Sequence, residues 1–97
     1  LRYYERALHV QPDFAEATIN TGGLLNALGR HQEALQHFER AVALTPRDAG
    51  LRFFLGITHI SLGQPRQAQR VLVEARQLVA GDEALRQQIE AALESLP

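Results

Sequence analysis

The chain repeats its own pattern of small, apolar and proline residues at an offset of 34 positions. Gly56 follows Gly22 by 34 positions, and Pro46 follows Pro12 by the same number. The strings YERALHVQP at 4–12 and FERAVALTP at 38–46 are close copies at this offset. A period of this length is typical of helix-turn-helix units that stack on one another, because one hairpin cannot bury its apolar face alone. The matched pairs include Gly22 and Gly56, Gly29 and Gly63, Ala34 and Ala68, and Pro12 and Pro46.

At these residues the chain resembles the tetratricopeptide repeat family, whose units carry an early glycine in the first helix, and alanine, an aromatic residue and alanine in the second. The resemblance implies an all-α, right-handed α-solenoid of antiparallel helix hairpins, with about six helices in a single domain over residues 1–97. Residues 1–14 would form the second helix of a truncated repeat and its turn. Residues 15–48 would form a complete repeat, 49–82 a second, divergent repeat, and 83–97 a C-terminal capping helix. The chain would then be the C-terminal fragment of its array.

The composition suits one modest core, with 97 residues of which 45% are hydrophobic and 22% charged. Cysteine is absent, which excludes disulfides and thiolate chemistry. A net charge of −1 argues against nucleic-acid and anionic-membrane partners, which require clustered basic residues. No apolar run approaches the roughly 18 to 20 residues of a membrane span. With no export signal in view, the cytoplasm is only a default location.

Turn and capping residues predict where the helices begin and end. Gly29 and Gly63 should end helices in the left-handed conformation, and Asp48 should cap the helix that follows it. The predicted helices are Leu1–Val10, Phe14–Leu28, His31–Leu44, Ala49–Leu62, Pro65–Val79 and Glu83–Leu96.

The second predicted helix contains Gly22, and a glycine inside a helix costs about 1 kcal/mol of helix propensity relative to alanine. A glycine is expected at this position if two helices approach each other so closely that a larger side chain would clash. We expect five residues of this helix to face its hairpin partner: Thr18, Thr21, Gly22, Leu25 and Leu28.

No catalytic or metal site can be assembled from the sequence. Ser61 and Ser95 lack the glycine elbow of a nucleophilic serine, and no HExxH or comparable ligand spacing occurs. We therefore predict no enzyme activity, no metal and no cofactor for these residues. The histidines lie in different helices or on different faces, and His59 is expected to be buried and paired with a neighbour. The four are His9, His31, His37 and His59.

By resemblance, the first helices of the units line a concave groove that receives a peptide or a partner's helix. The implied function is a non-catalytic scaffold for protein–protein interaction. Gly50 and Phe54 stand where the family's two-carboxylate clamp would have Lys and Arg, so a clamp is not expected. The groove positions are Ile19, Asn20, Gly23, Asn26 and Ala27 in the first complete repeat, and Phe53, Phe54, Ile57 and Ile60 in the second.

Three of these residues form a second apolar stripe on their helix: Phe53, Ile57 and Ile60. The stripe has two interpretations, because a helix that is apolar on two faces must be covered on both or offer one to a partner. Either the stripe lines the groove and holds an amphipathic helix or an extended apolar segment, or it packs against Ile19 and the capping helix.

The alternative function is self-association, in which the module is an oligomerisation unit of a larger protein. The first predicted helix carries apolar residues on one side, and its hairpin partner is missing from the sequence. A homodimer could then form through this edge or through the apolar stripe. The candidate edge residues are Tyr3, Tyr4 and Leu8.

Overall fold

A computed structural model describes residues 14–97, and this part of the chain forms five α-helices and no strand. The all-α prediction is confirmed. The helix His31–Leu44 has its predicted bounds, and the other four described helices end one or two residues earlier than expected. The predicted helix Leu1–Val10 lies outside the described residues. The helices are α1 (Phe14–Ala27), α2 (His31–Leu44), α3 (Ala49–Ser61), α4 (Pro65–Leu78) and α5 (Glu83–Glu94).

Each helix packs on the next one in the chain, and α3 also contacts both α1 and α5. This order of contacts is that of stacked hairpins in a solenoid. A first core cluster lies between α1, α2 and α3 and contains Phe14, Ala34, Leu35, Phe38, Ala41, Leu51 and Leu55. A second core cluster lies between α3, α4 and α5 and contains Phe53, Ala68, Leu72, Ala75, Val79, Ile89 and Ala92.

The two clusters are joined through one aromatic residue of α3. Phe54 packs against both of them. Its ring centroid lies 6.2 Å from that of Phe38 in a stacked arrangement and 5.0 Å from that of Phe53 in an edge-on arrangement. Both separations are typical of favourable aromatic pairs, so the hairpins share one continuous apolar interior.

The helix ends follow the local chemistry of the sequence. Gly29 and Gly63 have φ angles of 78° and 71°, in the left-handed region that a side chain with a Cβ rarely adopts. The carboxylates of Asp48 and Asp82 accept hydrogen bonds from the backbone N–H three residues further on, each at 3.0 Å. Each aspartate thus satisfies one of the free donors at the start of α3 and α5.

Arg52 on α3 stands at a position where the resemblance to tetratricopeptide repeats implies a large aromatic residue. Its guanidinium Nη1 lies 2.8 Å from Oε1 of Glu74 on α4, and its Nε donates to the carbonyl oxygen of Pro46 at 2.9 Å. The arginine therefore connects the turn before α3 to α4 through polar contacts.

The prediction for one face of α1 is partly wrong. Thr18 and Gly22 are buried as expected and Leu25 is half-buried, but Thr21 is exposed and Leu28 is 61% exposed. Thr21 and Leu28 are seven positions apart and so share a side of the helix. No helix within residues 14–97 covers that side, which explains the difference.

Candidate partner-binding surface

The α1 half of the predicted groove contains three residues that are open to a partner. Asn20 and Ala27 are exposed, and Gly23 is half-buried. A Cβ atom built on Gly23 would have no heavy atom within 4 Å, so the space above this glycine is free. Ile19 lies beside them, half-buried against the first core cluster. This part of α1 is therefore a shallow surface from which few side chains protrude.

Asn26 belongs to a polar network that connects three helices. Its Nδ2 donates to Oγ1 of Thr58 on α3 at 2.9 Å, and that hydroxyl donates to the carbonyl oxygen of Phe54 at 2.8 Å. The amide oxygen of Asn26 then faces Nδ1 of His31, 2.8 Å away at the start of α2. Because an amide oxygen can only accept, Nδ1 of His31 carries the hydrogen and donates it.

This network gives Asn26 a structural role in place of an open groove position. Both ends of its amide are occupied by partners inside the protein, one of them 32 positions away in the chain. Thr58 is fully buried, so the bond stabilises the contact between the two hairpins. The 34-residue period gave no signal for this role, because Asn26 and Thr58 are 32 positions apart and meet only when the two helices pack.

The α3 half of the predicted groove is largely committed to packing. Phe53 is 8% exposed and is a member of the second core cluster. Ile57 and Ile60 are half-buried and pack against the same cluster, which includes Ile89 of α5. These positions favour the interpretation in which the stripe packs toward the capping helix.

Part of the α3 surface remains accessible. Phe54, Ile57 and Ile60 each keep some exposed area. Beside Ile60 lies an open cavity of about 220 Å³. The cavity is lined by Ile60, Gly63, Pro65, Ser95, Leu96 and Pro97.

The groove positions carry no charged side chain in either half. The clamp positions are occupied by Gly50, which is half-buried, and by the Phe54 ring between the two cores. The surface can therefore offer apolar contacts and the amide of Asn20, but it has no cation of its own to pair with a terminal carboxylate. The predicted self-association residues Tyr3, Tyr4 and Leu8 lie outside the described residues, and that alternative stays a prediction.

Two histidines have environments set by burial. His59 is 7% exposed, and its Nδ1 lies 2.7 Å from Oε1 of Gln64, so the ring donates to this amide as expected. Burial, with a smaller effect of the nearby Arg40, lowers the pKa of His37.

Across residues 14–97, no group of three or more His, Asp or Glu side chains is arranged to hold a metal ion. Within the same residues, no helix combines the length and the apolar character needed to cross a bilayer.

Comparison with known proteins identifies relatives that share this type of repeat. The profile of the tetratricopeptide repeat family matches residues 25–93. The chain is 34% identical over 65 residues to the human protein O-mannosyl-transferase TMTC3, and 36% identical over 69 residues to human TMTC1. It is 24% identical over 84 residues to Superkiller protein 3 of Saccharomyces cerevisiae.

The matches cover much of this chain and little of the relatives. They span 67%, 71% and 87% of the present sequence, but 7%, 8% and 6% of TMTC3, TMTC1 and Superkiller protein 3. The similarity is therefore confined to a small region of each longer protein.

Proposed function

Because this chain belongs to the tetratricopeptide repeat family, whose units generally mediate protein–protein interactions, we propose that it is a non-catalytic scaffold that binds a partner on the α1–α3 surface. The observation that carries this proposal is the open strip on α1. Asn20 and Ala27 are exposed on either side of Gly23, above which the space is free. The occupant is a peptide or a helix of a partner protein.

The chemistry of the surface favours a partner segment that is apolar with some hydrogen-bonding groups. Ile19, Phe54 and Ile57 each retain partly exposed apolar area, and burying such area contributes roughly 25 cal/mol per Å². A hydrogen bond from Asn20 adds about 1 kcal/mol net. Since the groove positions are uncharged, a partner segment with several charges on its contacting face would lose hydration without compensation.

We propose that this region contributes binding and no chemistry. TMTC3 and TMTC1 are named as transferases, and the repeat-like region similar to this chain is a small part of each. In this proposal the repeats hold a partner while any reaction takes place elsewhere.

The proposal can be tested by blocking the strip without disturbing the fold. Peptides would be selected on the purified chain from a library of amphipathic helices, and their affinities measured by calorimetry. Gly23→Arg places a long cation in the groove, and the free space at this position leaves the helix intact. Ala43→Arg, at an exposed position of α2, is the matched control.

We expect Gly23→Arg to weaken binding by at least about tenfold, which is about 1.4 kcal/mol, while Ala43→Arg leaves it unchanged. Equal affinities for both variants would show that the selected peptides bind elsewhere, and the proposed surface would be rejected.

A further inference from the structure

Two adjoining open cavities lie where the turn between α3 and α4 meets the end of α5. Their volumes are about 220 Å³ and about 270 Å³. We call the pair the edge trough. Its two halves have three wall residues in common: Pro65, Leu96 and Pro97. The edge trough and the predicted groove positions share one residue, Ile60, so the trough is separate from the open strip on α1.

The first half of the edge trough is apolar. Ile60 and Leu96 are half-buried against the second core cluster, and Pro65 and Pro97 are exposed. A Cβ atom built on Gly63, in the same wall, would meet no heavy atom within 4 Å, so the space beside it is free. Because an enclosed apolar cavity of about 150 Å³ holds a benzene molecule, this half has room for one aliphatic or aromatic side chain.

The equivalent place one repeat earlier is bridged by a hydrogen bond. Ile60 corresponds to Asn26 and Pro65 to His31, each 34 positions earlier in the chain. The amide oxygen of Asn26 lies 2.8 Å from Nδ1 of His31. Isoleucine and proline have no side-chain donor or acceptor, so no such bond can form between α3 and α4. The divergent repeat therefore has an apolar cavity where the first complete repeat has a polar bridge.

The second half of the edge trough is cationic. Arg66 and Gln69 line it, and both are exposed on the first turns of α4. Arg70 is also exposed and lies one turn after Arg66, on the same side of the helix. Neither guanidinium is within salt-bridge distance of a carboxylate in the part of the chain that the structure describes. Because two like charges one turn apart repel each other, a carboxylate supplied by a partner would be stabilised here.

The other charged residues of α4 already lie near opposite charges. Arg76, its third arginine, lines a separate cavity of about 420 Å³ together with Glu90 and Glu94 of α5. Glu74, the one carboxylate of α4, lies 2.8 Å from a guanidinium nitrogen of Arg52. The positive charge of α4 that has no nearby carboxylate is therefore concentrated at the edge trough.

We propose that the edge trough binds a short segment of a partner protein with an apolar and an acidic residue close together. The apolar side chain enters the cavity beside Ile60, and the Asp or Glu pairs with Arg66 and Arg70. Charge complementarity determines this occupant, because an arginine binds a carboxylate through two parallel N–H···O bonds while the apolar wall removes the neighbouring side chain from water. The inference does not rest on the proposed function, which concerns the strip on α1.

The probes are short acetylated and amidated peptides that carry one Leu or Phe and two Glu at varied spacing in a background of Gly and Ser. A matched set has Gln in place of Glu. Binding is measured by fluorescence anisotropy on the 97-residue chain with two glycines added after Pro97, which move the terminal carboxylate away from the cavity. We expect at least one Glu peptide to bind at least about tenfold more tightly than its Gln counterpart, with a ratio that declines as salt increases.

Variants of the chain test the two halves of the trough separately. Arg66→Gln combined with Arg70→Gln should abolish the difference between Glu and Gln peptides, whereas Arg76→Gln on the same helix should leave most of it. Ser95 is exposed and lines the apolar half, so Ser95→Phe should fill the cavity and weaken both peptide sets by at least about tenfold. Ala91→Phe, at an exposed position of α5, is the matched control and should have no such effect.

Four results would overturn the proposal. The first is equal affinity of Glu and Gln peptides, or no measurable binding of either set. The second is the same loss in Arg76→Gln as in the double variant, which would indicate unspecific attraction to α4. The third is tighter binding of a single-stranded oligonucleotide than of any peptide. The fourth is loss of the peptides in Gly23→Arg, which would support the proposed function while rejecting the edge trough, so the two proposals can fail independently.

Discussion

The ring of Phe38 on α2 lies directly against the backbone of Gly22 on α1. A Cβ atom on this glycine would be 2.5 Å from Cε2 and 2.8 Å from Cε1 of the ring, and it would also collide with Cζ. Phe38 is fully buried, so the ring has little room to move away. Gly56 and Leu72 repeat the relationship 34 positions later, where a Cβ would lie 2.7 Å from the leucine side chain.

Gly22→Ala is therefore expected to destabilise the protein although alanine is the better helix former. The collision should cost about 1 to 3 kcal/mol, which exceeds the gain of up to about 1 kcal/mol in helix propensity. The neighbouring Gly23→Ala meets no atom within 4 Å and should stabilise by about 0.5 to 1 kcal/mol. Chemical denaturation of both variants measures the difference, and a stabilising Gly22→Ala would contradict the close contact.

Asn26 and Asn20 should respond differently to alanine, although the sequence placed both in the groove. Asn26→Ala removes the bonds to Thr58 and His31 and should destabilise by about 1 to 2 kcal/mol. Asn20 is exposed, so Asn20→Ala should change stability by no more than about 0.5 kcal/mol. Equal losses in thermal unfolding would argue against the structural role of Asn26.

Two buried threonines form another matched pair. Thr18 is fully buried, and its hydroxyl has no hydrogen-bond partner in the described structure. Thr18→Val removes an unsatisfied polar group with little change of shape, and it should be neutral or stabilising by up to about 1 kcal/mol.

Thr58→Val should instead destabilise by about 1 to 3 kcal/mol, because the amide of Asn26 loses its acceptor. Urea denaturation of the two variants decides the point, and the expectation fails if Thr18→Val is the more harmful change.

Phe53→Glu distinguishes the two interpretations of the apolar stripe. The side chain is 8% exposed within the second core cluster, so a carboxylate there should lower the Tm by well over about 4 °C. Leu44→Glu, at a more exposed leucine, is the control and should cause a small change. An unchanged Tm of the Phe53→Glu variant would contradict the core position and support the groove interpretation.

The stability should fall as the pH decreases through the ordinary pKa of histidine. Burial and then Arg40 lower the pKa of His37 in the folded protein below its usual 6.5. The unfolded chain therefore takes up a proton before the folded one does, which favours unfolding between 6.5 and the lowered value. His37→Gln should have a smaller decrease in Tm between about pH 7.5 and about pH 5.5 than the unmodified chain. Identical decreases would show that His37 does not contribute.

Local chemistry in the sequence was sufficient to predict the hairpins. The positive φ of Gly29 and Gly63 and the cap at Asp48 depend on residues within one turn of chain, and the 34-residue period identified which helices pair. The close approach at Gly22 was also predictable, because a glycine inside a helix is costly unless it meets a neighbour.

Only the tertiary structure decided which faces are used for packing and which are open. The role of Asn26 depends on Thr58, 32 positions away, and no local pattern distinguishes it from the exposed Asn20. Likewise Leu28 shares the apolar character of Leu62, but Leu62 packs against the first core cluster while Leu28 is 61% exposed. The reason is that helix periodicity determines the side of a helix on which a residue lies, whereas its burial depends on whether another hairpin covers that side.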